Sequence, residues 1–299
     1  MERLLADRQT EMQSITVIIP VWNRAHVIRR AIASVIGQDL PADDWSIQVL
    51  VVDDGSTDDV AAALRGFEQQ VRLIRHDKNK GAAAARNTAI AAASGDLLAF
   101  LDSDDIWLPA KLAHQITVMD QNRWEASCTA YLLSRPGTRD HVSPRRSSGR
   151  IELEEMAWGC FVCPGSTLMC RRSLFDEVGP FDVSLSRLED WDWLLRYGSA
   201  RALGFLAEPL ARVEPSMDGG RPENVFPALD CMWRKHSSGL APQTRRHFAA
   251  ALDLERAAAL YRSGNHAASA VSLSRSLLRV PFGNRAFAAV LHNRLAWPV

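Results

Sequence analysis

Leu97-Leu98-Ala99-Phe100-Leu101-Asp102-Ser103-Asp104-Asp105 is an apolar run that ends abruptly in acid. A short apolar run stopped by turn residues reads as a strand buried on both faces. Working back from it, Gly81 to Ala93 is an Ala-rich helix with a glycine start, and Val71-Arg72-Leu73-Ile74 is a short strand. A further helix has apolar positions at Val60, Ala63, Leu64 and Phe67, with Ser56 or Thr57 as its cap. Ile47 to Val52 is a second apolar strand, ending in Asp53-Asp54-Gly55-Ser56. Ala25 to Gly37 is helical, with Val27, Ile28, Ala31, Ile32 and Val35 on one side. The first strand, Ile15 to Ile19, is rich in β-branched residues and is stopped by Pro20. Alternating strands and helices predict an α/β domain with a parallel sheet covered by helices. Such sheets bind ligands beyond the carboxyl ends of their strands. The two acidic clusters, about fifty residues apart, should therefore share one rim.

Beyond Asp105 the pattern changes. Arg135 to Arg150 holds five arginines among Ser, Pro and Gly and reads as an exposed loop. Ile151 to Ala157 reads as a helix, Ser166 to Cys170 as a strand, and Arg172 to Val178 as a short helix closed by Gly179-Pro180. From about Pro215 the chain is helical. Leu252 to Arg262 and Ala267 to Leu278 resemble one tetratricopeptide-type hairpin, closed by Pro281. Such units stack in arrays, so a helical cap on the main domain is the simpler account of one copy. The expected division is an extension over 1–13, a main domain over 14–214 and a helical region over 215–299.

Composition excludes several classes. Lys+Arg and Asp+Glu are equal at 35 each, so no global basic field calls for nucleic acid. No Gly-x-Gly-x-x-Gly follows the first strand, which argues against a dinucleotide oxidoreductase. Met1 to Ser14 is polar, unlike a secretory leader, and no apolar run has the length of a spanning helix. Five cysteines without an export signal suggest reduced thiols. Cys160, Cys163 and Cys170 lack a fourth zinc ligand at matching spacing and read as buried thiols. The expected location is the cytoplasm, with room for peripheral contact at the inner face of a membrane.

Two stretches carry chemistry. Asp102 and Asp104 are two apart, and an extended strand end would put both on one side with Ser103 turned away. Mg²⁺ or Mn²⁺ takes oxygen ligands, commonly one or two carboxylates plus phosphate oxygens. The plainer account is a solvated acidic turn. In Glu189-Asp190-Trp191-Asp192-Trp193, carboxylates alternate with aromatic surface on which a sugar could stack. A positioned Asp or Glu can also accept a hydroxyl proton. The competing account is an amphipathic helix with Trp193, Leu194 and Tyr197 in the core and Asp192 and Arg196 in water; Trp193 fits the core and Asp190 the function. His26, His76 and His114 read as surface or hydrogen-bonded residues, and Lys78 and Lys80 as a solvated loop or phosphate contacts.

Read in order, five motifs form a set: Val17-Ile18-Ile19-Pro20-Val21-Trp22-Asn23-Arg24; Val51-Val52-Asp53-Asp54-Gly55-Ser56; Asn79-Lys80-Gly81 with Ala85-Arg86-Asn87; Phe100-Leu101-Asp102-Ser103-Asp104; and Gly179-Pro180-Phe181-Asp182 followed by Glu189-Asp190-Trp191. This order resembles family 2 glycosyltransferases over about residues 14 to 215. The resemblance implies a GT-A fold, with a mixed nucleotide-binding sheet flanked by helices, and an inverting transfer from a nucleotide-diphosphate sugar to an acceptor hydroxyl. A UDP-sugar is the first expectation, with dTDP- and GDP-sugars behind it. It implies a nucleoside pocket at Pro20, Asn23 and Asp53, with Asp54 supporting that turn, and Gly81 and Arg86 approaching the nucleotide. Asp102 and Asp104, around Ser103, become the Mg²⁺ or Mn²⁺ pair, with Asp104 the direct ligand. Asp190 becomes the base, with Glu189 as the alternative. Arg171 and Arg172 resemble a paired basic position and are candidates for acceptor or diphosphate contact. The acceptor suggested is a glycan or lipid-linked glycan of bacterial surface polysaccharide. No Gln-x-x-Arg-Trp motif is present, so the expected enzyme is non-processive. The alternative is a catalytically silent nucleotide-sugar binder of the same fold.

Overall fold

The computed structural model describes residues 13–41, 44–135, 137, 139–214 and 220–280. In chain order the elements are β1 (Gln13–Val21), α1 (Ile28–Ile36), β2 (Trp45–Asp53), α2 (Val60–Ala63), β3 (Val71–Arg75), α3 (Ala82–Ala92) and β4 (Leu97–Phe100). There follow β5 (Ile106–Trp107), α4 (Lys111–Asn122), β6 (Ala126–Leu133), β7 (His141–Ser143), β8 (Gly149–Ile151), α5 (Leu153–Met156) and α6 (Pro164–Thr167). The remainder comprises β9 (Met169–Arg171), α7 (Leu174–Glu177), α8 (Glu189–Gly198), β10 (Leu203–Val213), α9 (Pro222–His236), α10 (Pro242–Arg262) and α11 (His266–Arg279).

One mixed sheet runs β3-β2-β1-β4-β9-β6-β10-β5, with β7 added beside β6 and β8 beside β10. Its first four strands are parallel. The antiparallel β9 joins them to the parallel pair β6 and β10. Strand order reverses between β1 and β4, and loops diverging at such a point leave a crevice at the carboxyl edge.

Alternation along the strands divides two cores. Ile15, Val17, Ile19, Val49, Val51, Ala99 and Leu101 pack with Ile28, Ile32 and Val35 of α1 and Leu112 of α4. Ile18, Leu50, Val52, Leu98 and Phe100 pack on the other face with α3, α8, α9 and α10. Period-2 geometry requires this split. Val225, Leu229 and Met232 of α9 and Phe248 of α10 belong to the second core, so the C-terminal helices share the sheet's own interior.

Several expectations change. Pro20 does not stop β1; it pairs with Val52 inside the strand. Ile18 C=O faces β4, where it accepts from Leu101 N–H, and Pro20 has the same orientation one step beyond the β4 pairing. Its missing N–H therefore leaves no ladder bond unmade. Helix α2 is a single turn capped by Asp59, whose side chain accepts from Ala62 N–H, rather than by Ser56 or Thr57. Ser166 and Thr167 lie in α6, and strand β9 is only Met169–Arg171. The arginine-rich segment contains β7 and β8, and α5 takes only the middle of the predicted helix. Helix α10 begins at Pro242, ten residues before the predicted start, and packs against α11. Residues 1–12 and Pro281 fall outside the described residues.

Candidate active site

The crevice is built from loops that follow β1, β2 and β4, closed by the starts of α3 and α8. Asn23 takes a left-handed backbone, φ 53°, which asparagine tolerates. That turn lets its N–H donate to Ser56 Oγ at 2.9 Å while its Oδ1 accepts from Thr57 N–H at 2.7 Å. The β1 and β2 loops are thus tied together. Gly55 is required here: at φ +72° a Cβ would stand 2.4 Å from the Lys78 carbonyl carbon.

Asp53 and Asp54 divide their work. Asp54 accepts from His76 Nδ1 at 2.6 Å, Lys80 N–H at 2.9 Å and Gly81 N–H at 2.7 Å, assuming the His76 tautomer that donates there. It holds the loop that leads into α3. His76 is buried, and its Nε2 meets Thr88 Oγ1 at 2.9 Å. Asp53 is fully buried, with Oδ1 accepting from Ser56 N–H at 2.9 Å. Its Oδ2 has an ion pair with Arg75 at 3.3 Å but no hydrogen-bond partner. A buried carboxylate oxygen without a donor is costly, and a ring or ribose donor would satisfy it. Lys78 and Lys80 are exposed.

After β4 the chain turns. Asp105 N–H donates to Asp102 C=O at 3.1 Å, so Asp102-Ser103-Asp104 is a tight turn and not an extended strand end. Ser103 is buried, while the Asp102 and Asp104 side chains retain 36% and 16% exposure. The Asp104 carboxyl is raised above its ordinary value by burial and by repulsion from Asp102, against the opposing pull of Arg24. Two carboxylates that repel one another at a half-open rim suit a shared cation. Among the described residues, no three His, Cys, Asp or Glu side chains form a ready cage. Asp105 is buried and serves as a strut, accepting from Ser166 Oγ and from Glu214 N–H at 2.9 Å. Its carboxyl is pushed well up by burial, then by Asp102 and Asp104.

Arg86 unites the crevice. Buried on α3, it donates to Asp102 Oδ1 at 2.7 Å and to Glu189 Oε1 at 2.6 Å. Burial opposes its charge, yet Asp102, Glu189 and Asp190 hold the guanidinium protonated. Glu189 is thereby engaged by a guanidinium, and Asp190 stands next to it in the first turn of α8. Asp190 Oδ1 accepts from Trp191 N–H at 2.7 Å, and Cys160 Sγ lies 3.9 Å from Oδ2. Its carboxyl is pushed up to about 6, first by burial, then by Glu189, with Arg86 opposing.

Three expectations fail. Trp193 is fully buried, as the core reading expects, but Trp191 is fully buried too, so it offers no face to a sugar. Asp192 is also fully buried, not in water: Lys235 Nζ, His236 Nε2 and Arg196 Nε approach it at 2.7, 2.8 and 3.0 Å. Arg171 pairs with Leu97 at the start of β4, and Arg172 donates to Gly95 C=O at 3.0 Å. That is the opposite edge of the sheet from Asp102. The sequence reading also overlooked contributors. Arg24 pairs with Asp104 across the crevice. Asn87 exchanges hydrogen bonds with Phe181 N–H and C=O at 2.9 and 2.8 Å, pinning the Gly179-Pro180-Phe181 turn to α3. None of the five cysteines is in a disulfide, and burial pushes the Cys163 and Cys170 thiols up.

The reversed strand order and the acidic rim at its switch point describe a GT-A glycosyltransferase fold. S. aureus TarS 1-349 in complex with UDP-GlcNAc superposes with a TM-score of 0.65 at 17% identity, covering 95% of this chain and 88% of that one. Mannosyltransferase PcManGT from Pyrobaculum calidifontis, in complex with GDP-Man and Mn²⁺, gives 0.59 at 22% identity over 94% and 79%. The chain is 30% identical over 227 residues to the Escherichia coli UDP-Glc:alpha-D-GlcNAc-diphosphoundecaprenol beta-1,3-glucosyltransferase WfgD, covering 73% of this chain and 83% of that one. Residues 16–179 match the model of Glycosyl transferase family 2, and the chain belongs to that family. No described helix is long and apolar enough to cross a membrane.

Proposed function

We propose that the chain is an inverting, metal-dependent glycosyltransferase that moves a sugar from a UDP-sugar to one acceptor hydroxyl, in assembly of a lipid-linked or surface glycan. The observation that carries this reading is the Arg86 bridge, which holds the Asp102 turn and the start of α8 against one crevice. UDP as the donor nucleotide is supported by the UDP-sugar named for WfgD and by the UDP-GlcNAc complex of TarS. Asp53, with its unsatisfied Oδ2, reads the base or ribose once the exposed Arg75 side chain turns aside. Asn23 and Pro20 shape that wall, and Asp54 and Gly81 set the loop before α3.

Asp104, with Asp102 beside it, would hold Mg²⁺ or Mn²⁺, which supplies charge neutralisation for a departing diphosphate. Asp190 takes the proton of the acceptor hydroxyl as that oxygen attacks the anomeric carbon opposite the leaving group. A carboxyl held near 6 is ionised at neutral pH and more basic than an ordinary aspartate. Arg86 holds Glu189 in an ion pair that it shares with Asp102, and Asp190 is the carboxylate that faces the acceptor.

Incubating the protein with UDP-sugars, Mn²⁺ and a polyprenyl-diphosphate sugar tests this. Transfer with inversion at the anomeric carbon is expected. Tight UDP binding with neither transfer nor slow donor hydrolysis across several donors would favour the silent binder instead.

A further inference from the structure

Helix α11 is turned the wrong way for an ordinary surface helix. Its buried positions are Ser269, Ser272 and Ser276, spaced three and four apart along one stripe. Ser269 Oγ donates to Ala257 C=O at 2.8 Å and Ser276 Oγ to Ala250 C=O at 2.7 Å, so the serines are satisfied by the backbone of α10. The large apolar side chains face outward instead: Val271 is 52% exposed, Leu277 42% and Leu278 80%. Val271, Arg275 and Leu278 follow one another at i, i+4 and i+7 and share one face. A helix normally buries its apolar stripe, so an outward one marks a surface that meets something.

Charge narrows what that is. From His266 to Val299 the sequence has no Asp or Glu and four arginines, in a chain whose formal net charge is zero. Arg275 is exposed, and Arg246 reaches from α10 to donate to Leu278 C=O at 3.3 Å. The neighbouring Asp253 is paired with Arg279 at 2.9 Å. The exposed leucines therefore sit among guanidinium groups.

We propose that the outer face of α11 docks on an anionic lipid surface, with Val271, Leu277 and Leu278 entering the apolar boundary and Arg246 and Arg275 meeting lipid phosphates. Helices that lie in a bilayer interface combine an apolar face with basic flanks, and each arginine near an anionic leaflet adds to the attraction. A second copy of the chain fits less well. A two-fold pair would set the same face against itself, arginines toward arginines, with no acid on either α11. The docking does not depend on the proposed reaction, but its use does. Helix α10, on which α11 packs, reaches the active-site helix where Phe248 meets Trp191 with ring centroids 5.4 Å apart. A docked α11 would tie the crevice to the surface that carries a lipid-linked acceptor.

Flotation of the full-length chain with vesicles tests this, using phosphatidylcholine mixed with phosphatidylglycerol against phosphatidylcholine alone. Wild type should bind the mixed vesicles, and lose most of that binding without phosphatidylglycerol or at high salt. Leu277→Ser with Leu278→Ser should bind the mixed vesicles about tenfold or more weakly. Arg246→Gln with Arg275→Gln should weaken binding by about tenfold and reduce the preference for phosphatidylglycerol. All four positions are exposed, and melting temperatures near that of wild type confirm that both variants are folded. Wild type that ignores the mixed vesicles, or variants that bind them as wild type does, would overturn the proposal. So would a wild-type dimer in light scattering that the two serine substitutions convert to monomer, which would assign the face to a second copy.

Discussion

Asp190 shows how one side chain's surroundings set its chemistry. Burial and Glu189 push its carboxyl up to about 6, so transfer should fall on the acid side with an apparent pKa in that region. A pH profile of kcat/KM checks this. The sign for stability follows from the same shift. A raised folded-state value means the folded protein holds the proton more tightly, so this group's penalty appears as pH rises through that value. Asp190→Asn should therefore lose transfer by orders of magnitude, keep UDP binding, and melt no lower than wild type at pH 8. A melting temperature well below wild type would show that the carboxylate supports the fold rather than the reaction. The position of Asp190 among carboxylates on a helix was legible from its neighbours in sequence. Asp192 was not, because the Lys235 and His236 that hold it lie more than forty residues away.

At the scale of elements, the legible part was the half of the domain built from long, regular signals. The parallel strands β1 to β4 are apolar runs with turn residues behind them, and they appear where expected. Strands β5, β7, β8 and β9 are two or three residues long, too short to show a period. Sequence pattern therefore missed β5, β7 and β8 and placed β9 too early. The site suffered the same limit: two-residue spacing suggested an extended Asp102-Ser103-Asp104, but a hydrogen-bonded turn performs the placement. Helix α6, also short, shapes that turn from outside. A Cβ on Gly165 would stand 2.5 Å from Asp102 Oδ2. Gly165→Ala should displace the Asp102 carboxyl from Arg86 and lower kcat/KM by about tenfold or more, with a small change in melting temperature. Steady-state kinetics beside a thermal melt separate the two effects. Asn87→Ala, by contrast, removes both anchors of the Phe181 turn and should lower stability by about 1–3 kcal/mol in chemical denaturation.

Across the whole molecule, the C-terminal helices act on the site through α8. Lys235 and His236 at the end of α9 grip Asp192, and Trp191 meets Phe248 of α10 edge-on with ring centroids 5.4 Å apart. Burial alone would raise the Asp192 carboxyl, but His236, Lys235 and Arg196 outweigh it and hold it below its ordinary value. Its contribution to stability is then present above the unfolded-state pKa and disappears as pH falls through the folded one. Asp192→Asn should lower the melting temperature at pH 7, with a difference that shrinks toward pH 3. The larger claim is that carboxylates from two separated loops serve one donor, a placement that β1-β2 and β1-β4 pairing brings within about 10 Å of strand spacing. Calorimetric titration of UDP with Mn²⁺ tests this most directly, using wild type, Asp53→Ala and Asp104→Asn. Both variants should bind at least about tenfold more weakly, and only Asp104→Asn should lose the gain that Mn²⁺ confers. Binding equal to wild type in both would contradict the account.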